Sequence, residues 1–504
     1  MRRLVILIAM IASVLAASGA SAEPAAVTAL SRSTPVDDAS DDRRFDDLDL
    51  ARLGVPLPLG AELSPRGQGD PVPGEGAGVS LSAEIPGRAG SPSNPVPGTR
   101  RTAPAQRQPP ATLSRLPLAP EAAGDGWSIV TSPDRPWQTL NYLNSVTCLS
   151  AVDCWAVGYY HVSSAQQTLV QHWDGAAWAV VDSPNTSATQ HNHLSEVACV
   201  SASDCWAVGR YYTGTAYQTL IERWDGESWA IVGSPNANTI TGALENVLSG
   251  VTCVSASECW AVGYAYTGDT VEGVSAGVYQ TLIERWDGSS WTIVSSPTAA
   301  GSSLLNAVKC VAASDCWAVG YYYTESGVSQ NLIERWDGES WSIADSADTS
   351  AEQGNFLHDI TCVSASDCWT VGYYADYSDG IRYQTLTTRW DGRSWAVVSS
   401  PNTTGHNVLA TVACVSTSDC WAIGYHLVGS VVQALAQRWD GASWSLVSSR
   451  DTGAEGSVNG VTCVRGSGCW AVGSYSAGPT VSPRRGSSSG TEPRGPSPAH
   501  PTPA

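Results

Sequence analysis

Fourteen cysteines fall into seven pairs with the same five-residue gap, and this regularity constrains the fold more than any other feature of the 504-residue chain. The pairs are Cys148/Cys154, Cys199/Cys205, Cys253/Cys259, Cys310/Cys316, Cys362/Cys368, Cys414/Cys420 and Cys463/Cys469, each offset from the next by 49 to 57 residues. A period of that length marks an architecture in which one supersecondary unit is copied and stacked. The repeats run from about Trp127 to Gly473.

One full unit runs from Val251-Thr252-Cys253, through Cys259-Trp260-Ala261-Val262-Gly263 and Gln280-Thr281-Leu282-Ile283-Glu284-Arg285-Trp286-Asp287-Gly288, to Ser290-Trp291-Thr292-Ile293-Val294. Four short β-type runs separated by turn residues predict a four-stranded meander. Strand 1 ends at the first cysteine and strand 2 starts at the second. The Asp-Gly pair is a hairpin signal leading into strand 4, because both residues tolerate positive φ. Such a sheet cannot bury both faces alone, whereas sheets arranged around an axis can. The expected fold is all-β, a β-propeller of about seven four-stranded blades over residues 126–474.

Twenty of the 21 tryptophans occupy three fixed slots, after the second cysteine, before the Asp-Gly turn and at the start of strand 4. A large ring recurring in every unit predicts inter-blade packing. Only Trp137 lies outside the register. Residues 126–131 read as a strand 4 with nothing before it, and the seventh unit stops after strand 2. The last blade is therefore expected either split between the two ends, with residues 475–485 as its strand 3, or incomplete in an open ring.

The unit resembles a kelch repeat, which also has a strand ending in glycine, an aromatic-Asp turn and a tryptophan opening the outer strand, here Val208-Gly209, Trp224-Asp225-Gly226 and Trp229. That resemblance implies a propeller. Kelch units lack the paired cysteines, and their usual double glycine is replaced here by Gly-Tyr or Gly-Arg. The turn Asp225-Gly226-Glu227-Ser228-Trp229 is also similar to the sialidase Asp box, one residue short. The Asp box is structural, so this second resemblance implies no glycosidase activity.

The chain opens Met1-Arg2-Arg3, continues through an apolar stretch from Leu4 to Ala17 and reaches Ala20-Ser21-Ala22, which reads as a signal peptide over residues 1–22. Residues 23–125, acidic and rich in Pro, Gly, Ala and Ser, and the tail 475–504 offer too little apolar surface to order, so both are expected to be disordered. No membrane span is expected after cleavage. The preference for arginine over lysine fits a GC-rich bacterial genome. An exported chain with an even cysteine count predicts seven local disulfides, each pinning a strand 1 to strand 2 turn, with the protein secreted or at the cell surface. The histidines do not repeat, so no metal and no cofactor are expected. A net charge of −20 argues against nucleic acid as a partner.

In a meander the 1–2 and 3–4 turns share one face and the 2–3 and 4–1 loops the other. Only the latter vary in length, which makes the 2–3/4–1 face the candidate binding surface. Tyrosines after strand 2 are expected to line it, with Tyr160, Tyr212, Tyr266, Tyr322, Tyr374 and Tyr425 as binding residues for a glycan or an extracellular protein. The plainer reading is that such rings extend strand 2 and cover the blade edge. Strand 1 is expected to line a central channel, where Glu196, His358 and Asp359 are the titratable candidates for acid–base chemistry in a polysaccharide hydrolase or lyase. Binding by a monomer is the first expectation. The enzyme and a purely structural surface protein are the alternatives.

Overall fold

The computed structural model describes residues 140–476, apart from short loop stretches, together with Trp127, Val130 and positions 132–134. The expected signal peptide, the acidic segment, Trp137 and the tail from residue 477 lie outside the described residues. Among the described residues there are six four-stranded antiparallel sheets, each formed by one repeat with its strands in sequence order. The seventh repeat forms a two-stranded sheet, Glu455–Val464 with Gly468–Ser476. The fold is an all-β propeller with six full blades, and the expected seventh blade is incomplete in the described chain. No helix among these residues is long and apolar enough to cross a membrane.

The first blade shows how sequence produces this geometry. Its strands are β1 (Asn141–Ser150), β2 (Asp153–Val162), β3 (Ala165–Trp173) and β4 (Trp178–Val181). The 1–2 turn is tight, and Cys148 faces Cys154 directly across the ladder. At the 3–4 turn Gly175 takes φ 92°, and Asp174 Oδ1 accepts from the amides of Ala176 and Ala177 at 2.8 and 2.9 Å. The same aspartate clasp closes that turn in all six blades, which explains why Asp-Gly recurs at fixed length.

All seven predicted disulfides are formed, joining Cys148 to Cys154, Cys199 to Cys205, Cys253 to Cys259, Cys310 to Cys316, Cys362 to Cys368, Cys414 to Cys420 and Cys463 to Cys469. No free cysteine remains. Each bridge pins its strand 1 to strand 2 turn as expected, and the second cysteine of each pair is in addition a core residue. Cys154, Cys205, Cys259, Cys316, Cys368, Cys420 and Cys469 are all exposed by 3% or less. Each shares a hydrophobic cluster with a tryptophan of the preceding repeat. Cys205 lies with Trp155, Cys316 with Trp260, Cys368 with Trp317, Cys420 with Trp369 and Cys469 with Trp421. Side-chain alternation is the reason: strand 2 has begun by the second cysteine, which points to the sheet face that meets the neighbouring blade. The bridges therefore fill space between blades as well as closing turns.

The glycine after Trp-Ala-Val has a different cause. It does not end strand 2, which continues to Val162 in the first blade, but lies opposite a bulge in strand 1 between Leu143 and Ser145. A Cβ at Gly158 would meet the Tyr142 carbonyl oxygen at 2.0 Å, and Gly209 would meet that of His193 at 1.9 Å. Only glycine permits that approach.

Tryptophans hold neighbouring blades together as the repeat predicts. Trp206, on the second strand of blade 2, meets Trp286 and Trp291 of blade 3 at ring-centroid distances of 4.7 and 5.3 Å. The Arg223 guanidinium lies 4.8 Å from the Trp206 centroid and 5.7 Å from that of Trp286 while its Nε donates to Asp204 at 2.9 Å. Such a cation over a ring is worth about 0.5–2 kcal/mol, on top of the area the indoles bury. The arrangement recurs around the ring with Arg285, Arg335 and Arg389.

The first and last repeats touch. Asn459 Nδ2 donates to the Leu143 carbonyl at 3.1 Å, and Trp470 of the seventh sheet packs on Trp173 and Trp178 of the first blade at 4.8 and 5.7 Å. The open-ring alternative is thereby overturned. Trp127 stands edge-on to Trp421 at 5.1 Å, as Trp178 does to Trp470, and Val130 packs into the cluster between the seventh sheet and the first blade. These two residues take the fourth-strand positions of the last repeat. Of residues 475–485, expected to supply its third strand, the first two instead end its second strand, Gly468–Ser476, and the rest lie outside the described residues.

Candidate functional site

Two places in this ring gather chemistry-bearing side chains. The first is the central cavity, about 330 Å³, lined by the first strands of all seven repeats. Glu196, His358 and Asp359 all border it as expected, and so does Lys309, the single lysine of the chain. Sequence reasoning passed over Lys309, although its uniqueness was visible. The disulfides supply no chemistry here. Cys205, Cys316, Cys368, Cys420 and Cys469 are enclosed between blades, and only first-strand partners such as Cys362, Cys414 and Cys463 border the cavity.

The bulge that selects for glycine also determines what the titratable groups do. Four before the first cysteine, Asn144 and Asn306 turn toward the next blade and donate to the Leu194 and Leu357 carbonyls at 2.7 Å. His358 occupies the same position and bonds the Leu409 carbonyl through Nδ1 at 3.0 Å, which requires the proton on Nδ1. Burial holds this imidazole down to about 4, so it is neutral at pH 7. One residue further on, Glu196 Oε2 accepts from the Val251 amide at 2.7 Å. Asp359 Oδ2 accepts from the Val412 amide and the Thr411 hydroxyl at 2.8 and 2.9 Å.

Burial and the nearby Asp359 carboxylate push Glu196 up to about 8. Asp359 is raised by burial, against its three hydrogen bonds and Lys309, which pull it down. No hydrogen bond joins Glu196, His358 and Asp359 to one another, and Glu196 comes from the second blade whereas the others come from the fifth. Each instead clips its blade to the next. Among the described residues no group of three or more metal-ligating side chains exists.

The second place is the 2–3/4–1 face. The tyrosines expected to follow strand 2 lie inside it, and the six named ones occupy three different registers. Tyr425 directly follows the special glycine and is buried, as are Tyr159, Tyr321 and Tyr373 at that position. Tyr160, Tyr322 and Tyr374 stand one residue later, point to the opposite sheet face and pack against clusters shared with the preceding blade. Tyr212 and Tyr266 stand one residue later again, half-buried near the strand end. The alternation of side chains along a strand separates them, so the six rings do not form one surface.

What covers this face is a belt of rings from several elements. Tyr142 stacks on Tyr159 at 4.8 Å, and Tyr159 lies against His193 at 4.4 Å. Tyr212 meets Tyr217 at 5.1 Å, and Tyr266 meets Tyr279 at 4.9 Å. Phe356 stacks on Tyr373 at 4.7 Å, Tyr373 meets Tyr383 at 5.0 Å, and Tyr383 meets His406 at 4.9 Å. Tyr217, Tyr279 and Tyr383 begin third strands and were absent from the sequence-based set. Beside the belt, the 2–3 loop of the fifth blade exposes Tyr377 by 54% and Ile381 by 64%. Backbone bonds from Tyr212 to His191 at 2.8 Å and from Tyr266 to Glu245 at 2.7 Å tie the strand ends to the 4–1 loops, which makes the face rigid.

No family model matches the chain, and no curated protein matches it. Solved structures do. A protein of unknown function from Dyadobacter fermentans is 10% identical with a TM-score of 0.39, covering 56% of this chain and 93% of its own. A PL25 ulvan lyase, a polysaccharide lyase, is 9% identical with a TM-score of 0.41, covering 60% and 80%. A PL25 ulvan lyase bound to -[GlcA(1-4)Rha3S]- is 7% identical with a TM-score of 0.42, covering 66% and 96%. Likenesses this distant bear on neither substrate nor site.

Proposed function

We propose that this protein is an exported binding module that engages a glycan through its 2–3/4–1 face. The observation that carries this reading is the belt of half-buried rings with polar tips on a face whose strand ends are pinned by backbone hydrogen bonds. Tyrosine and histidine rings accept the C–H faces of sugars while their polar atoms reach hydroxyls. Export is supported by seven disulfides, which persist in oxidising compartments. The kelch-like kinship belongs to the same proposal, supported by the Trp-Asp-Gly turn and the tryptophan opening the fourth strand. We propose the tyrosines of the original set as ligand contacts only where they are half-buried at the strand end, at Tyr212 and Tyr266.

The enzyme alternative at Glu196, His358 and Asp359 is weakened by their engagement with neighbouring backbone. A general acid or base needs its reacting lone pair or proton free to meet substrate. A glycan array probed with the purified repeat domain and with a Tyr212→Ala/Tyr266→Ala/Tyr383→Ala variant tests the proposal. Binding lost in a variant of unchanged melting temperature supports it. Equal binding by both proteins, or no glycan bound by either, overturns it. Turnover of a bound polysaccharide that disappears in Glu196→Gln would establish the enzyme instead.

A further inference from the structure

At the position after the special glycine, five blades carry a tyrosine, Tyr159, Tyr264, Tyr321, Tyr373 and Tyr425, and the second blade carries Arg210. The seventh repeat has Ser474 there, and the departure at Arg210 puts a guanidinium among rings. Arg210 lies 4.9 Å from the Tyr217 ring centroid, and the neighbouring Tyr264 ring meets Tyr279 at 5.5 Å. Its acidic partner is Glu245, which enters from the 4–1 loop and is fastened there by the Tyr266 amide on its carbonyl at 2.7 Å. Arg210 Nη1 and Glu245 Oε1 are 3.9 Å apart, and the two side chains keep 31% and 29% of their exposure.

That separation is too long for a direct hydrogen bond. The guanidinium retains donors and the carboxylate retains acceptors that are not used on each other, and both side chains are half-buried. An anionic ligand approaching this spot would meet the Glu245 carboxylate, and a cationic one the Arg210 guanidinium. A hydroxyl meets neither objection, because it accepts from the guanidinium and donates to the carboxylate at once. The Tyr217 ring lies under the guanidinium, and Tyr279 borders the spot through its packing on Tyr264 and Tyr266.

We infer that Arg210 and Glu245, framed by Tyr217 and Tyr279, form a subsite for the hydroxyls of an uncharged sugar ring, so that the glycan recognised is neutral. This inference rests on the glycan-binding reading and names its ligand class. It makes Arg210 and Glu245 the source of hydroxyl specificity, with the rings supplying contact area. The signal was legible in the repeat, where a cation replaces a recurrent tyrosine.

The test uses the full chain and two probe sets, neutral cello-, xylo- and manno-oligosaccharides and their uronate- or sulfate-bearing counterparts, titrated against the natural protein, Arg210→Tyr and Glu245→Gln. Arg210→Tyr installs the residue five other blades hold, Glu245→Gln keeps the shape of its side chain, and the melting temperature of each identifies the folded variants. The natural protein binding neutral probes, with affinity down about ten-fold or more in either folded variant, is the expected result. Neutral binding that neither variant changes overturns this subsite and leaves the glycan-binding proposal standing. Binding confined to charged probes and strengthened in Glu245→Gln overturns the subsite too. Failure to bind either set overturns the glycan-binding proposal itself.

Discussion

Glu222 Oε2 lies 2.6 Å from the Ser183 hydroxyl, across the boundary between the first two blades. Ser183 also lies 2.9 Å from Thr168 Oγ1, and Thr168 in turn donates to the Pro184 carbonyl. A serine has one proton for two oxygen neighbours, and a protonated Glu222 supplies the second. Glu222 is fully buried, with Oε1 lacking any partner, which disfavours its ionised form. The arrangement recurs with Ser234 and Glu284 and with Ser296 and Glu334. In the first and sixth blades Gln171 and Gln437 stand in the same slot, and each donates to a proline carbonyl instead.

A pH dependence follows. Burial pushes Glu222 and Glu284 up to about 8 and Glu334 up to about 7, from an unfolded value near 4.5. A carboxyl raised in the folded state contributes stability that is complete below the unfolded value and lost as pH rises through the folded one. His358, lowered to about 4, acts in the opposite sense, but only below about 6.5. The unfolding free energy, and with it the melting temperature, should therefore fall between pH 6.5 and 8.5, the former by an amount on the order of 1–2 kcal/mol per glutamate. Glu222→Gln/Glu284→Gln/Glu334→Gln should flatten that decline, leaving the share of Glu196. A natural protein whose stability is level over this window would contradict the assignment.

Gly209→Ala should disrupt the second blade. Its added Cβ would meet the His193 carbonyl oxygen at 1.9 Å, so strand 1 or strand 2 must shift, with a loss of several kcal/mol expected, on the order of other overpacked core sites or more. Gly233→Ala is the matched control, since nothing lies within 4 Å of its new atom. Urea denaturation of the two variants should separate them clearly.

Each disulfide closes a ring of only a few residues. Replacing Cys253 and Cys259 together by alanine should lower stability by about 2 kcal/mol through the entropy of so small a loop. The lost sulfur of buried Cys259 should add to that, because it leaves a gap beside Trp206. The blade should still fold, because its tryptophan contacts with both neighbours are untouched. Denaturant midpoints measure the loss. Peptide mapping under non-reducing conditions should recover only pairs within a repeat.

Trp127→Ala removes the ring that covers Trp421 from the N-terminal side and leaves a cavity between the sixth blade and the seventh sheet. Truncating a buried tryptophan costs about 3–5 kcal/mol, and the seventh sheet should be the first part of the ring to open. Hydrogen exchange would show this as faster amides in Glu455–Ser476 and unchanged ones in the third blade. Uniform protection throughout would mean that Trp127 does not close the ring.

The periodic features of this molecule were legible from residues alone. Cysteine spacing, the Asp-Gly turn and the tryptophan slots each repeat, and a local motif that repeats must satisfy a local or nearest-neighbour demand. The pairing of Cys199 with Cys205 followed from spacing, whereas the burial of Cys205 against the blade before it did not, since spacing says nothing of which sheet face meets a neighbour. The candidate site was less legible. Tyr160, Tyr212 and Tyr425 look alike in the sequence, yet a one-residue step along a strand sends a side chain to the other sheet face, and the loops give no count of those steps. Tyr217, Tyr279 and Tyr383 escaped notice because they belong to other strands that meet the belt only in space.

What the sequence determined by itself was the blade, its staples and the side chains that join one copy to the next, since these depend on residues close in the chain or related by the repeat. The tertiary structure alone decided that Trp127 meets Trp421 across nearly the whole domain, that Glu196 and Asp359 are tied to backbone in different blades, and that Arg210 stands opposite Glu245 at 3.9 Å. Such relations turn on how many sheets complete a turn and where each bulge falls, quantities set by the packing of the whole ring.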